Sequence, residues 1–257
     1  MSIAFFMKTS YKIILFLTIF TFGFYLLRTQ GQYVYYNIEI LTADLDGLTY
    51  LYSTVGIIFA ILAAFVIISE TERWKNLVDA TKDEAATLNE LWLWSRHLPG
   101  NLKIDVENNI RQYLEVLIGE GWYNAGSGQK NIKIDNIINS LHDNILKIYK
   151  EAPSLITEIF STFNDLVKYR EKRIDHISFH LPKILKNTLL FSDALLVMLS
   201  LLIGVHNPWL NYIFITGVAL LGYLIYLLID DLDNPLRPGG WHITVDAYQE
   251  LLNKMKV

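Results

Sequence analysis

The chain has 257 residues, 52 % of them apolar, a positive mean hydropathy and a formal charge of −4, too small to point to nucleic acid as a partner. Zero cysteine excludes disulfides, thiolate metal sites and cysteine nucleophiles, and leaves the redox compartment open. The charged residues crowd into one central stretch, so the averages conceal two solvents, lipid and water, and the sequence reads as an all-α polytopic membrane protein.

Four apolar segments, Tyr11–Leu27, Tyr50–Ser69, Thr188–Val205 and Trp209–Ile229, each approach the roughly 20 residues that cross about 30 Å of hydrocarbon. Lys8 and Lys12 ahead of the first also describe a secretory signal peptide. No small-x-small cleavage site follows, and the segment is read as a retained helix. The loop Thr29–Thr49 carries Glu39, Asp44 and Asp46 but no lysine or arginine, whereas Arg73, Lys75, Lys183 and Lys186 flank the central region. The positive-inside rule therefore places both termini and residues 70–187 in the cytoplasm of a plasma or inner membrane. Tyr33, Tyr35 and Tyr36 outside, with Trp74 inside, fit aromatic belts.

The second span carries two stripes. Val55, Ile58, Leu62 and Phe65 are bulky, and Gly56, Ala60, Ala63 and Ile67 are mostly small, suited to close helix packing. By itself the bulky stripe suits lipid. No breaker follows Ser69, so the helix is predicted to continue through Glu70-Thr71-Glu72-Arg73-Trp74 to Leu98, where Pro99-Gly100 ends it, about 75 Å at 1.5 Å per residue. Apolar residues then recur at helical spacing through Leu77, Leu88, Leu91 and Trp92, and through 104–118, 132–149 and 155–181, with the loop Gly121–Gly128 between two of these stretches. A helical cytoplasmic bundle is expected, and the whole chain reads as one domain without repeats.

Enzyme motifs are missing: no Gly-rich phosphate loop, Gly-x-Ser-x-Gly elbow or His-Glu-x-x-His occurs. His176 and His180, four apart on a predicted helix, read as a polar face rather than a metal pair. Glu84 and Glu90 read as solvated or interhelical charges. Asp193, roughly one and a half turns inside the third span, must pair or reach water, because an unpaired charge in hydrocarbon costs several kcal/mol. Pairing with Lys12 or Lys186 is the favoured expectation. Only His206-Asn207-Pro208 joins the third and fourth spans, which must form an antiparallel hairpin with Trp209 at the outer surface.

The fourth span runs into Asp230, Asp231, Asp233 and Asn234, hard oxygen ligands at a helix end whose carbonyls also favour a cation. Calcium is the one cofactor the sequence suggests, against a reading as merely solvated acids. Pro235, Pro238, Gly239 and Gly240 force a turn, and a short helix follows from Thr244-Val245-Asp246 to Lys254.

Three stretches resemble the bestrophin-like membrane family of prokaryotes and plants. They are Ile58-Phe59-Ala60 through Phe65-Val66 into Glu70–Arg73, Glu84–Leu88 ahead of Leu98-Pro99, and Leu232-Asp233-Asn234-Pro235-Leu236 with Gly239 or Gly240 and Asp246-Ala247-Tyr248. The last departs from the family's Asp-x-Pro-Phe-x-Gly pattern by Leu236 and by an extra Pro-Gly. The resemblance covers the chain from about Tyr50 onward. It implies a ring of identical subunits around an anion pore lined by the second span, and an acidic calcium clasp beyond the last one. On that basis Val55, Ile58, Leu62 and Phe65 would form a hydrophobic neck that gates by dewetting. The expected function is an oligomeric channel for anions of the chloride or bicarbonate class. The alternative is a non-conducting scaffold or signalling protein whose cytoplasmic helices bind a partner. A transporter fits less well, since no span is broken by proline and no repeat is visible, and enzymatic activity ranks last.

Overall fold

A computed structural model describes residues 3–30, 45–122, 131–151, 153–203 and 207–256, which are helical throughout apart from short turns. The predicted tyrosine belt, Glu39, Asp44, most of the Gly121–Gly128 loop and His206 lie outside the described residues. The chain divides into two compact units, 1–71 with 181–233 and 238–240, and 72–180 with 234–237 and 241–257.

The first unit holds α1 (Ile3–Gln30), the opening of α2 (Leu45–Ser95), α6 (Lys183–Ile203) and α7 (Pro208–Asp233). Three helices, at Gly47–Ser95, Lys183–Ile203 and Trp209–Asp233, are long and apolar enough to cross a membrane, while the apolar part of α1, Ser10–Leu26, is shorter. Helix is the natural form for such sequences, because it satisfies every backbone N–H and C=O within the segment. Helix α7 starts on a side-chain cap: Asn207 Oδ1 accepts the N–H groups of Trp209 at 2.9 Å and Leu210 at 3.4 Å, with Pro208 at the first helical position. It packs on α6 as one arm of the expected hairpin. Against α1 it sets Tyr223 stacked on Phe16, centroids 4.3 Å apart, and Tyr212 bonded to Thr21 at 2.7 Å. The unit's core is Phe59, Ala63 and Val66 of α2 with Leu181, Leu189, Leu196 and Ile229. Ile57, Ile61, Ile68, Phe191 and Ile213 point outward, an apolar exterior that water would not tolerate and lipid does.

Two boundaries differ from the sequence reading. Helix α6 begins at Lys183 rather than Thr188, and α7 continues past Ile229, so Asp230, Asp231 and Asp233 sit in its last turn. The hydropathy edge marks where lipid-compatible residues stop, and the backbone runs on while its hydrogen bonds continue.

The second unit holds the rest of α2, α3 (Gly100–Val116) running into a wider π turn at Leu117–Gly121, α4 (Ile132–Glu151), α5 (Ile156–Ser178) behind a short 3-10 turn, and α8 (Asp246–Met255). Helix α2 is unbroken, as the sequence predicts, but ends at Ser95 rather than Leu98; after a short turn the next helix opens at Gly100, which adopts φ +35°, a conformation that favours glycine. Apolar side chains at three- and four-residue spacing turn inward: Leu102, Val106, Ile110 and Leu114 on α3, Ile134, Ile138, Leu141 and Ile145 on α4. Leu77, Leu88, Leu91, Phe163, Leu166 and Leu251 join them. Each fully buried leucine or isoleucine contributes about 1.5–3 kcal/mol relative to exposure.

Candidate functional site

On α2 the proposed neck residues share one stripe. Ile58 is 51 % and Phe65 65 % exposed in the single chain, and Val55 and Leu62 are half-buried. The face that packs inside the unit is Phe59, Ala63 and Val66, with Val55, Leu62 and Ile67 partly buried against the same core. The small stripe expected to pack divides: Ala63 is in the core, Ile67 packs against it and Gly56 lies 3.8 Å from Leu196 for an added Cβ, but Ala60 is exposed. With α6 and α7, Gly56, Ala60, Ala63 and Ile67 wall a cavity of about 450 Å³. Short side chains here leave space between helices instead of drawing them together.

Asp193 of α6 lines that cavity. Its carboxylate lies so close to Gly222 of α7 that a Cβ there would overlap it. Its Oδ1 is shielded from solvent and has no hydrogen-bond partner among the described residues. The expected pairing with Lys186 does not form, because Lys186 Nζ binds Asp230 Oδ1 at 2.6 Å and lies over the Tyr226 ring at 5.3 Å. Lys186 stands seven residues before Asp193 and its long side chain reaches the end of α7, where a carboxylate is available. No ion pair joins Asp193 to Lys12.

The acidic exit of α7 is a set of separate fastenings. Asp230 takes Lys186, Asp231 Oδ2 accepts the Gly240 N–H at 2.9 Å, and Asp233 Oδ1 accepts the Leu181 N–H at 2.8 Å. Gly239 has no room for a side chain against Asp231, which explains a glycine at this point of the turn. Calcium needs six to eight oxygens converging on one point. These carboxylates face different donors, and among the described residues no three acidic, histidine or cysteine side chains form a group suited to a metal. The arrangement does not fit the expected calcium site. His176 and His180 also part company, because α5 ends at Ser178 and Phe179 is extended.

The second unit contains a buried constellation around Glu84, whose partners the sequence reading did not identify. Glu84 of α2, fully buried, is held by both ends of the Arg173 guanidinium of α5, Nε to Oε2 at 2.5 Å and Nη2 to Oε1 at 3.2 Å. Tyr113 of α3 donates its hydroxyl to Glu84 Oε1. The Trp122 ring lies 5.8 Å from the guanidinium and meets Tyr248 of α8 edge-on at 5.9 Å. Burial and the Glu84 charge push the Tyr113 and Tyr248 hydroxyls well above the usual tyrosine range, so both stay protonated. Burial disfavours the Arg173 charge, but the Glu84 carboxylate more than offsets it and keeps the guanidinium charged. Nearby, Arg73 donates to the carbonyl oxygens of Phe179 and His176, and Arg170 pairs with Asp135. The signal for this cluster was present: Glu84 falls in the Leu77, Leu88, Leu91 stripe, and Arg173 falls seven residues after Leu166 on an apolar face. A charge in core register calls for a partner.

These features fall within a match to a bestrophin-like domain over residues 41–245, four-fifths of the chain. The chain belongs to the bestrophin-like family. Among solved structures it is similar to two single-substitution variants of a bacterial bestrophin homologue from Klebsiella pneumoniae. One superposes with a TM-score of 0.64 over 80 % of this chain and 86 % of that one, the other with 0.66 over 79 % and 83 %. A third structure, described as a membrane protein, gives 0.64 over 84 % and 91 %. Identity is 10 % in all three, so the likeness is one of fold. No curated protein matches the sequence.

Proposed function

We propose that the chain is the subunit of a homo-oligomeric ion channel, with α1, α2, α6 and α7 crossing the membrane, both termini and residues 70–187 cytoplasmic, and the pore passing anions of the chloride or bicarbonate class. The observation that carries this is the division of α2 into two faces. Phe59, Ala63 and Val66 are used up inside the protomer and Val55 and Leu62, half-buried, pack against that core, while Ile58 and Phe65 on the adjoining edge of the helix remain exposed. In a ring of copies that stripe forms a hydrophobic neck able to gate by dewetting. Membership of the bestrophin-like family supports the pore over a lipid-facing reading. The acidic turn is assigned a bracing role: Lys186 and two backbone N–H groups already answer its carboxylates.

The test is current across planar bilayers containing the purified protein under a chloride gradient, with calcium present and then chelated, comparing wild type with Phe65→Ala. Unitary currents that reverse with chloride and change on the substitution support the channel and its neck. Reversal that follows the cation discards anion selectivity. Silence from folded protein in every condition moves the assignment to a non-conducting scaffold.

A further inference from the structure

Asp193 poses a chemical problem that no described residue of its unit resolves. Its Oδ1 is sealed from solvent without a hydrogen bond among the described residues, it sits in a helix long and apolar enough to cross a membrane, and Lys186 is committed to Asp230. On one side it borders a void of about 10 Å³ shared with Lys186, Gly222 and Tyr226, room for roughly one water. On the other it borders the cavity of about 450 Å³, within the range of small-molecule sites, and it is the only charged group among that cavity's lining residues. The remaining walls are Gly56, Ala60, Ala63, Leu196 and other apolar or small groups, with Tyr52 and Ser53 at one end.

We propose that this cavity binds an amphiphilic ammonium, with the Asp193 carboxylate taking the positive head and the groove walled by α2 taking the apolar body. Charge complementarity selects this occupant over the others. An anion is repelled by the carboxylate, a hydrocarbon chain leaves it unpaired in a low dielectric at a cost of several kcal/mol, and an inorganic cation lacks the oxygens to replace its hydration shell. An alkylammonium supplies up to three N–H donors in a charge-assisted bond and buries its chain against the small residues. Gly222 is part of the site, since any side chain there displaces the carboxylate. The site stands whether or not the chain conducts.

The probes are octylammonium, octanol and octanoate, titrated calorimetrically into the full-length protein in lipid nanodiscs. Wild type is expected to bind octylammonium at least about tenfold more tightly than octanol and octanoate most weakly. Asp193→Asn should bring the octylammonium-to-octanol ratio close to one while octanol affinity holds, and Ala60→Leu should weaken both by filling the groove. The absence of native cysteine allows a second reading in an otherwise wild-type chain: octylammonium should protect Ala60→Cys from a thiol reagent at about a tenfold lower concentration than octanol does. A ratio near one in wild type, equal protection by the two probes, or efficient disulfide formation between Ala60→Cys copies, which would show a second copy filling the groove, overturns the proposal.

Discussion

The two units treat a carboxylate inside the protein in opposite ways. In the second, Glu84 is enclosed but fully answered by Arg173 and Tyr113, and a ring of aromatic side chains dries the pair. In the first, Asp193 has one oxygen enclosed without a hydrogen-bond partner among the described residues, while an open cavity lies beside it. A buried charge whose partners are complete has spent its interactions on architecture, and one whose partners are missing retains them for something else.

The sharpest way to test that contrast is to break the complete pair. Arg173→Met strands the Glu84 charge and should lower the stability of its unit by about 3–5 kcal/mol, read as a loss of thermal and denaturant resistance. Adding Glu84→Met should recover much of that loss in a double-mutant cycle. Full additivity of the two substitutions would show that the pair is not coupled. Asp193→Asn, by contrast, should leave the thermal midpoint level or raised, since it removes an unanswered charge; a drop as large as that of Arg173→Met would erase the distinction.

Gly222→Ala comes next, with an expected cost of about 1–3 kcal/mol from overpacking against Asp193. Asp193→Ala in the same chain should relieve most of it. Lys186→Met removes a partly exposed pair and should cost no more than about 1 kcal/mol. Calcium or a chelator should not shift the melting midpoint of wild type, since the acids of α7 are already bonded to protein donors; a calcium-dependent rise would restore the metal site.

The smallest effect belongs to His176, whose pKa burial lowers from 6.5 against the pull of Asp175, helped by Arg73 and Lys172. Because the folded value lies below the unfolded one, the unfolded chain binds the proton more readily. Stability should therefore rise with pH through the window just below 6.5, being complete above it and lost as pH falls toward the folded value. His176→Gln should flatten that slope slightly in melting curves recorded between about pH 5 and 7.

Local regularities carried much of the fold into view. Continuous apolar runs announced α6 and α7, the three-residue link between them left only a hairpin, and the absence of any breaker between Ser69 and Pro99 made α2 a single helix. Glu84 reads in the sequence as a solvated or interhelical charge, and the second half of that reading holds, but its partner Arg173 lies 89 residues away, a separation that no helical period encodes. The acids of α7 read differently in one dimension and in three, for a related reason. Four oxygen-bearing residues within five positions look like a ligand set in one dimension, yet the three carboxylates of Asp230, Asp231 and Asp233 each meet a donor of their own.

What the sequence by itself determined is the solvent each segment prefers, the helical form of nearly everything described, and the family, because hydropathy and periodicity are summed over many neighbouring residues. Only the tertiary structure decided which charges are paired and which are left over. Whether Lys186 reaches Asp193 or Asp230 depends on a few ångströms of helix placement and side-chain reach, and the same few ångströms open the space between Gly56, Ala60 and Gly222.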